Sequence, residues 1–273
     1  MSVRQRYCLT FIFLFLLGLA LLVQWPATAV SSWMESQTQG RWRLSSAQGT
    51  VWQGSGLLLM RSSEKATWRA LMNLNWHIHA AELLRGRLSI DFQPEQGQMH
   101  LVATPSGFRV ESLATTLSAS ALTPLLPGAL GRYHWDGQLH TRSSAFACGW
   151  QTKNCQGEIE ILWDNAGVSE IVGPPLGNYR LILTNNESRT HLSIDTREGR
   201  LQLKAQGEIT PNGQLVIQGE AIAPTQAGDK NDEALNALLA LLMRPQGGGR
   251  YLINYRESAS DSASGSSKLA PPR

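Results

Sequence analysis

Few residues in this chain combine the type and the spacing that chemistry requires. His77-x-His79 would place two imidazoles on one face of a strand, with Glu82 as a weak third ligand for a metal. A metal site needs at least one firm ligand more, and two polar strand positions that face water explain the histidines as simply. The sequence therefore predicts no metal site.

Catalytic patterns are equally scarce. Asp136 and Asp164 each follow a tryptophan, and paired carboxylates can hydrolyse a glycosidic bond, but an Asp that forms a turn at the end of a strand is the simpler interpretation. Gly54-Ser55-Gly56 does not have the G-x-S-x-G spacing of a nucleophile elbow, and no glycine-rich nucleotide motif occurs. We predict a non-enzymatic protein with no cofactor.

The cysteines predict a disulfide if the body of the protein is exported. Cys8 lies in an apolar run, where it should be inert, whereas Cys148 and Cys155 are close in sequence. Outside the cytoplasm, a disulfide that closes a small loop is the natural interpretation of this pair. Two free buried thiols, or a metal site with further ligands, remain as alternatives, and the spacing is too long for a C-x-x-C redox motif.

The amino-terminal segment predicts a membrane anchor. Tyr7 to Val23 carries no charge, and residues 7–25 are long enough to cross roughly 30 Å of hydrocarbon. Arg4 and Arg6 precede this run and no cation follows until Arg41, so residues 1–6 should be cytoplasmic and the body should be across the inner membrane.

A cleaved signal peptide is the alternative for the same segment. Ala27-Thr28-Ala29 has the small-x-small form of a cleavage site, although bulky Trp25 and Pro26 directly precede it. Trp25 and Trp33 would suit the aromatic belt of a retained anchor. Both interpretations export the body to the periplasm.

Composition and net charge argue against a disordered chain and against nucleic-acid binding. With 42% hydrophobic and 16% charged residues, the 273-residue chain is typical of a folded protein rather than a disordered one. A net charge of +3, without a basic stripe, is too small to indicate nucleic-acid binding. We therefore expect no nucleic acid among the partners.

The elements that would position these residues are mostly strands. Short runs with alternating apolar and polar residues, separated by frequent glycines, predict an antiparallel, curved, meander-like sheet. Asn212-Gly213 and Glu198-Gly199 predict hairpin turns. The clearest alternating runs are centred on Ile90, Ile161, Leu183, Ile194, Leu203, Ile217 and Ile253.

Two segments depart from the β pattern. Pro124 and Pro127 limit residues 121–130 to a short helical turn at most. Leucines spaced i, i+3, i+4, i+7 predict one amphipathic helix from Asn231 to Arg244, started by Asn231 or Asp232 and stopped by Pro245. The predicted organisation is a cytoplasmic terminus at 1–6, a transmembrane anchor at 7–25, a linker at 26–40, a periplasmic β-rich domain at 41–257 and a disordered tail at 258–273.

The run at residues 49–54 resembles a motif of a known protein family. Gly49-Thr50-Val51-Trp52-Gln53-Gly54, after a single anchor, resembles the signature of type II secretion system protein N. The glycines bracket a short strand and permit tight turns, and Trp52 can fix that strand by packing. The resemblance continues through Leu74-x-Trp76, Leu83-Leu84-x-Gly86, Cys148 and Cys155 with Gly157, Trp163-x-Asn165-Ala166, and Gly249-Arg250-Tyr251-x-Ile253-x-Tyr255.

The resemblance implies a non-catalytic inner-membrane component of the machine that exports folded proteins from the periplasm across the outer membrane. Its partners would be other inner-membrane components of type II secretion, with the outer-membrane secretin as a further candidate, and membrane lipid through the anchor. A different function stays open, because a curved sheet with a long apolar face could also form a β-groove that binds or transfers lipid.

Overall fold

The computed structural model describes residues 3–61, 67–123, 131, 133–151, 154–171, 173–186, 189–209, 215–224 and 230–257. The chain divides into two compact units, Met1–Glu95 and Gln96–Arg273, which we call unit 1 and unit 2. The disordered tail predicted at 258–273, the Asn212-Gly213 turn and the two prolines at 124 and 127 lie outside the described residues.

The described residues contain five helices: α1 Val3–Val23, α2 Thr28–Gln37, α3 Ala80–Leu83, α4 Ala119–Leu122 and α5 Lys230–Leu242. Among these residues, no helix meets the length and apolarity expected of a membrane span. The transmembrane anchor predicted at 7–25 is therefore not confirmed and stays a prediction. The predicted linker contains α2.

Unit 1 has four antiparallel strands that pair in chain order, β1 Trp42–Gly49, β2 Gln53–Met60, β3 Arg69–Ile78 and β4 Leu88–Pro94. Alternation sends apolar side chains to one face, where Ala27, Leu44 and Trp76 form a buried cluster. The other face is polar, since Gln48, Ser55, Asn75 and Gln93 follow one another across the four strands.

The strands of unit 2 are also antiparallel. They pair in the order β5-β6-β7-β9-β10-β11-β12-β13-β15-β14, and β8 pairs with both β6 and β9. This pairing confirms the predicted mainly β, antiparallel fold. The strands are β5 Gly97–Thr104, β6 Gly107–Ser118, β7 Trp135–Ser143, β8 Phe146–Gly149, β9 Cys155–Val168, β10 Gly177–Asn186, β11 Arg189–Gly199, β12 Gln202–Ile209, β13 Leu215–Ile222, β14 Arg244–Gly247 and β15 Arg250–Glu257.

The core of unit 2 lies beneath α5. Leu235 and Leu239 are buried against Tyr179, Leu201 and Tyr251, together with other apolar residues of β9, β10 and β13. The amphipathic period of the leucines thus predicts this C-terminal helix correctly, and the structure confirms it.

The ends of α5 differ from the prediction. The helix ends at Leu242 because Arg244 pairs with Leu252 in a strand, which cannot share its backbone conformation with a helix. Asp232 does not lie outside the helix as a cap; it lies in the first turn, where its carboxylate forms an ion pair with Arg200.

Candidate functional site

The short strand predicted between Gly49 and Gly54 is wrong, because residues 50–52 form the turn between β1 and β2. We call residues 49–54 the motif turn. The Thr50 amide donates to the Gln53 carbonyl at 2.8 Å, and the Gln53 amide donates to the Thr50 hydroxyl at 3.2 Å. Gly49 has φ of +87°, and a Cβ there would lie 2.5 Å from the Gln53 oxygen. Glycine at position 49 is therefore required by the closed turn.

The motif turn holds the end of α1. The indole nitrogen of Trp52 donates to the Leu22 carbonyl at 2.8 Å, and the Val51 amide donates to the Trp25 carbonyl at 2.8 Å. The Gly49 carbonyl in turn accepts from the Ala27 amide at 3.1 Å. Carbonyls at a helix C-terminus lack partners within the helix, and the motif turn supplies a partner for Leu22.

Trp76, on the neighbouring strand β3, completes this arrangement. Its indole nitrogen donates to the Val51 carbonyl at 2.9 Å, and only 6% of the residue is exposed. A Cβ on Gly54 would lie 2.5 Å from the Trp76 ring and 2.6 Å from the Gln48 carbonyl oxygen. Trp76 belongs to the Leu74-x-Trp76 part of the family resemblance, and its spacing from the motif contains no signal for this contact.

The histidine candidates do not form a metal site. His79 Nε2 lies 2.6 Å from an Asp91 carboxylate oxygen, and Glu82 forms ion pairs with Arg85 and Arg87. The ring of His77 stacks edge-on against that of His79, with 4.9 Å between centroids. Across the described residues, no group of three or more His, Cys, Asp or Glu side chains could hold a metal ion.

The two tryptophan-adjacent aspartates are each engaged by neighbours. Asp136 accepts a hydrogen bond of 2.6 Å from the Ser169 hydroxyl, and Asp164 lies 3.5 Å from His140 Nε2. The turn predicted for Asp164 is wrong, because it lies inside β9, next to Asn165 with φ of +53°. The register between β7 and β9 shifts near this position, which reconciles a positive φ with continued pairing.

A disulfide joins Cys148 of β8 to Cys155 of β9. The two residues are direct partners in the β8–β9 pair, and their Cα atoms lie 4.1 Å apart. The exposed ring of Trp150 follows in the connecting turn, where it packs against Phe108 and donates from its indole to the Thr104 carbonyl at 2.8 Å. The bond thus closes a small hairpin beside an aromatic contact.

We predict that a Cys148→Ser/Cys155→Ser variant loses about 2.5 kcal/mol of unfolding free energy, because the unfolded chain regains the entropy of a short closed loop. Urea unfolding of the full chain in detergent measures the loss. Cys8→Ser is the matched control and should unfold like the wild type. Equal midpoints for the wild type with and without reductant would contradict the prediction.

Two titratable groups in unit 2 have shifted pKa values with structural causes. Burial raises the pKa of Tyr179, whose hydroxyl donates to the Leu201 carbonyl at 3.0 Å. A hydrogen bond from His134 lowers the pKa of the exposed Glu170 carboxyl. Burial explains the shift at Tyr179, and the pairing with His134 on the exposed surface explains the shift at Glu170.

The apolar face of unit 2 extends beyond the core under α5. We call the row formed by Ile159, Leu183, Leu192, Ile217 and Tyr255 the apolar row, because register pairs these residues across the sheet, with Gly207 between the third and the fourth. Each member is half-buried. On the opposite face, polar side chains line a shallow groove of about 890 Å³, among them Ser193, Lys204, Gln206, Gln218 and Glu220.

Comparison with known proteins gives one consistent result. A family model described as type II secretion system (T2SS), protein N, matches residues 40–254, which include the motif turn, the disulfide and four of the five residues of the apolar row. A protein of Aeromonas hydrophila named type II secretion system protein N is 26% identical over 244 residues, covering 86% of this chain and 92% of that protein. No solved structure matches the chain.

Proposed function

The chain belongs to the type II secretion system protein N family, and on that premise we propose that it is a non-enzymatic inner-membrane component that supports export of folded proteins from the periplasm. The observation that carries this proposal is the family match across residues 40–254. Membership makes the chain a protein of type II secretion; its placement and mode of action are the proposed part.

Sequence supports the inner-membrane placement. The uncharged run from Tyr7 to Val23 follows Arg4 and Arg6, which hold the amino terminus in the cytoplasm. The motif turn binds the carbonyls of Leu22 and Trp25 directly. Unit 1 is thereby attached to the end of the anchor by hydrogen bonds as well as by the chain, which suits a scaffold that must hold a fixed position.

Strand β1 of unit 1 and strand β14 of unit 2 are poor templates for strand addition. In unit 1, the Leu44 carbonyl of β1 accepts a hydrogen bond of 2.7 Å from the Ser31 hydroxyl, and the Gly49 carbonyl accepts one from the Ala27 amide. In unit 2, β14 has four residues and contains Pro245, which has no amide hydrogen to donate. We therefore assign partner binding to the apolar row rather than to the edge of β1 or β14.

The partners proposed for this surface are other inner-membrane components of the secretion apparatus, with the outer-membrane secretin as a further candidate. Half-buried aliphatic side chains become fully dehydrated when a partner covers them, which favours association.

A complementation experiment tests the proposal. In a deletion strain, secreted enzymes should accumulate in the periplasm, and the wild-type chain should restore export. Ile217→Glu should not restore it, since a charge in the apolar row would have to be dehydrated on binding. Gln218→Glu is the matched control: it changes the adjacent residue on the polar face and should restore export fully.

Folding of the variants is checked by thermal unfolding, and Leu192→Asn replaces Ile217→Glu if the latter is unfolded. Normal export in the deletion strain would contradict the proposed role. Full rescue by a folded apolar-row variant would contradict the proposed surface alone.

The apolar row also motivates a second candidate function, the binding or transfer of lipid along the sheet. The apolar side chains of this row can contact the acyl chains of a lipid as readily as the side chains of a partner protein. Solvent extraction of the purified chain followed by mass spectrometry separates the two candidates. Lipid at one molecule or more per chain favours lipid binding, and its absence together with co-purified secretion components favours the scaffold.

A further inference from the structure

The connection between β3 and β4 carries an exposed leucine pair with no role in the core. Leu84 is 92% exposed and Leu83 is 40% exposed, at the end of the short helix α3. Isolated exposed leucines are common on protein surfaces, so the pair alone indicates nothing. A role for the pair is indicated by where it lies in unit 1.

This connection lies at the same end of the unit 1 sheet as the end of α1. Gln53, at the end of the motif turn, pairs with His77 near the end of β3. The Ile78 amide donates to the Trp52 carbonyl at 2.7 Å, and Trp52 in turn donates to the Leu22 carbonyl. A chain of two hydrogen bonds therefore links the start of the connection to the last turn of α1.

The residues around this end have the composition of a membrane interface. Val23 and Trp25 are 57% and 53% exposed, and tryptophan is enriched at the level of the lipid headgroups. Arg85 and Arg87 follow the leucine pair, and Glu82 pairs with both of them, so this group of three charged side chains has a net charge of +1. Segments that lie in the interface of an anionic bilayer combine leucine or tryptophan side chains with arginines or lysines.

We infer that the β3–β4 connection is a second membrane contact, in which Leu83 and Leu84 enter the bilayer interface beside the end of α1 and Arg85 and Arg87 lie at the headgroups. The inference rests on the proposed membrane placement of α1. Its consequence is orientation: with one helix alone, α1 and the attached unit 1 can tilt together in the membrane, and a second contact at the same end restricts that tilt.

Spin labels on the full chain test this contact. The chain carries Cys8→Ser, so that a single introduced cysteine is labelled, and is reconstituted in nanodiscs of phosphatidylcholine and phosphatidylglycerol. Labels at Leu16→Cys in α1, Ala81→Cys in α3 and Arg69→Cys are compared by collision with oxygen, which concentrates in lipid, and with a water-soluble nickel chelate. Arg69 begins β3, nine residues and about 30 Å from Ile78, and reports the aqueous phase.

We expect the label at position 81 to collide preferentially with oxygen, as at position 16, whereas the label at position 69 collides preferentially with nickel. Adding Leu83→Ser and Leu84→Ser should make the label at position 81 as accessible to nickel as the label at position 69. The oxygen and nickel accessibilities at position 16 should not change. Nickel accessibility at position 81 with an unchanged lipid signal at position 16 overturns the second contact and leaves the anchor standing. Protection of position 81 from both reagents, which a covering protein would produce, also overturns it. A water signal at position 16 overturns the proposed placement itself.

Discussion

Replacing Asp232 with alanine is expected to lower the unfolding free energy of unit 2 by about 3–5 kcal/mol, the cost of leaving one charge of a buried pair without its partner. The side chains of Arg200 and Asp232 are 15% and 7% exposed, and the guanidinium donates directly to the carboxylate. Asp232 also lies in the first turn of α5, where a negative charge stabilises the helix.

The loss should be concentrated at α5. This helix supplies Leu235 and Leu239 to the core, and Asn236 is tied to the Pro224 carbonyl and to the Tyr251 hydroxyl. Hydrogen exchange should therefore show faster exchange in α5 and in the residues beneath it before other strands respond.

Two control variants test whether the stability loss in Asp232→Ala comes from the unpaired charge. Arg189→Ala breaks an exposed ion pair with Glu208 and should cost at most about 1 kcal/mol. A double variant, Arg200→Met/Asp232→Leu, removes both charges and should recover most of the stability, because burying a neutral pair needs no charge compensation. A double variant as unstable as Asp232→Ala would show that the single variant acts through packing, not through charge.

Replacing Gly54 with alanine is expected to cost about 3 kcal/mol, near the upper end for overpacked cores. The new Cβ would meet the Trp76 ring at 2.5 Å and the Gln48 carbonyl oxygen at 2.6 Å. The ring cannot turn away cheaply, since its nitrogen is bonded to the Val51 carbonyl and the residue is buried.

A shift of Trp76 should also release α1, because Val51 holds the Trp25 carbonyl. Thermal unfolding in detergent, followed by tryptophan fluorescence, measures the loss, and limited proteolysis between residues 22 and 28 measures the release. Gly167→Ala is the matched control: its Cβ would meet nothing closer than 3.5 Å, so its unfolding free energy should change by less than about 0.5 kcal/mol. Wild-type stability in Gly54→Ala would refute the proposed packing requirement.

Features with a local period could be predicted from the sequence. Alternation along β11, β12 and β13 is a property of successive residues on a pleated strand, so the strands and their faces follow from residue order. The leucine period of α5 is local in the same sense. The Gly-Thr-x-Trp-x-Gly run also identifies the family, which the comparison confirms.

Interactions between residues far apart in the chain were decided by tertiary structure alone. Trp52 meets the Leu22 carbonyl 30 residues away, Trp76 meets Val51 25 residues away, and Arg200 meets Asp232 32 residues away. No periodicity or motif spacing encodes such pairs, because strand register and turn closure determine which groups meet. The amino-acid sequence thus determined strands, helix α5 and family, whereas folding decided that the motif is a clamp on the end of α1 and that Asp232 is a buried partner, not a cap.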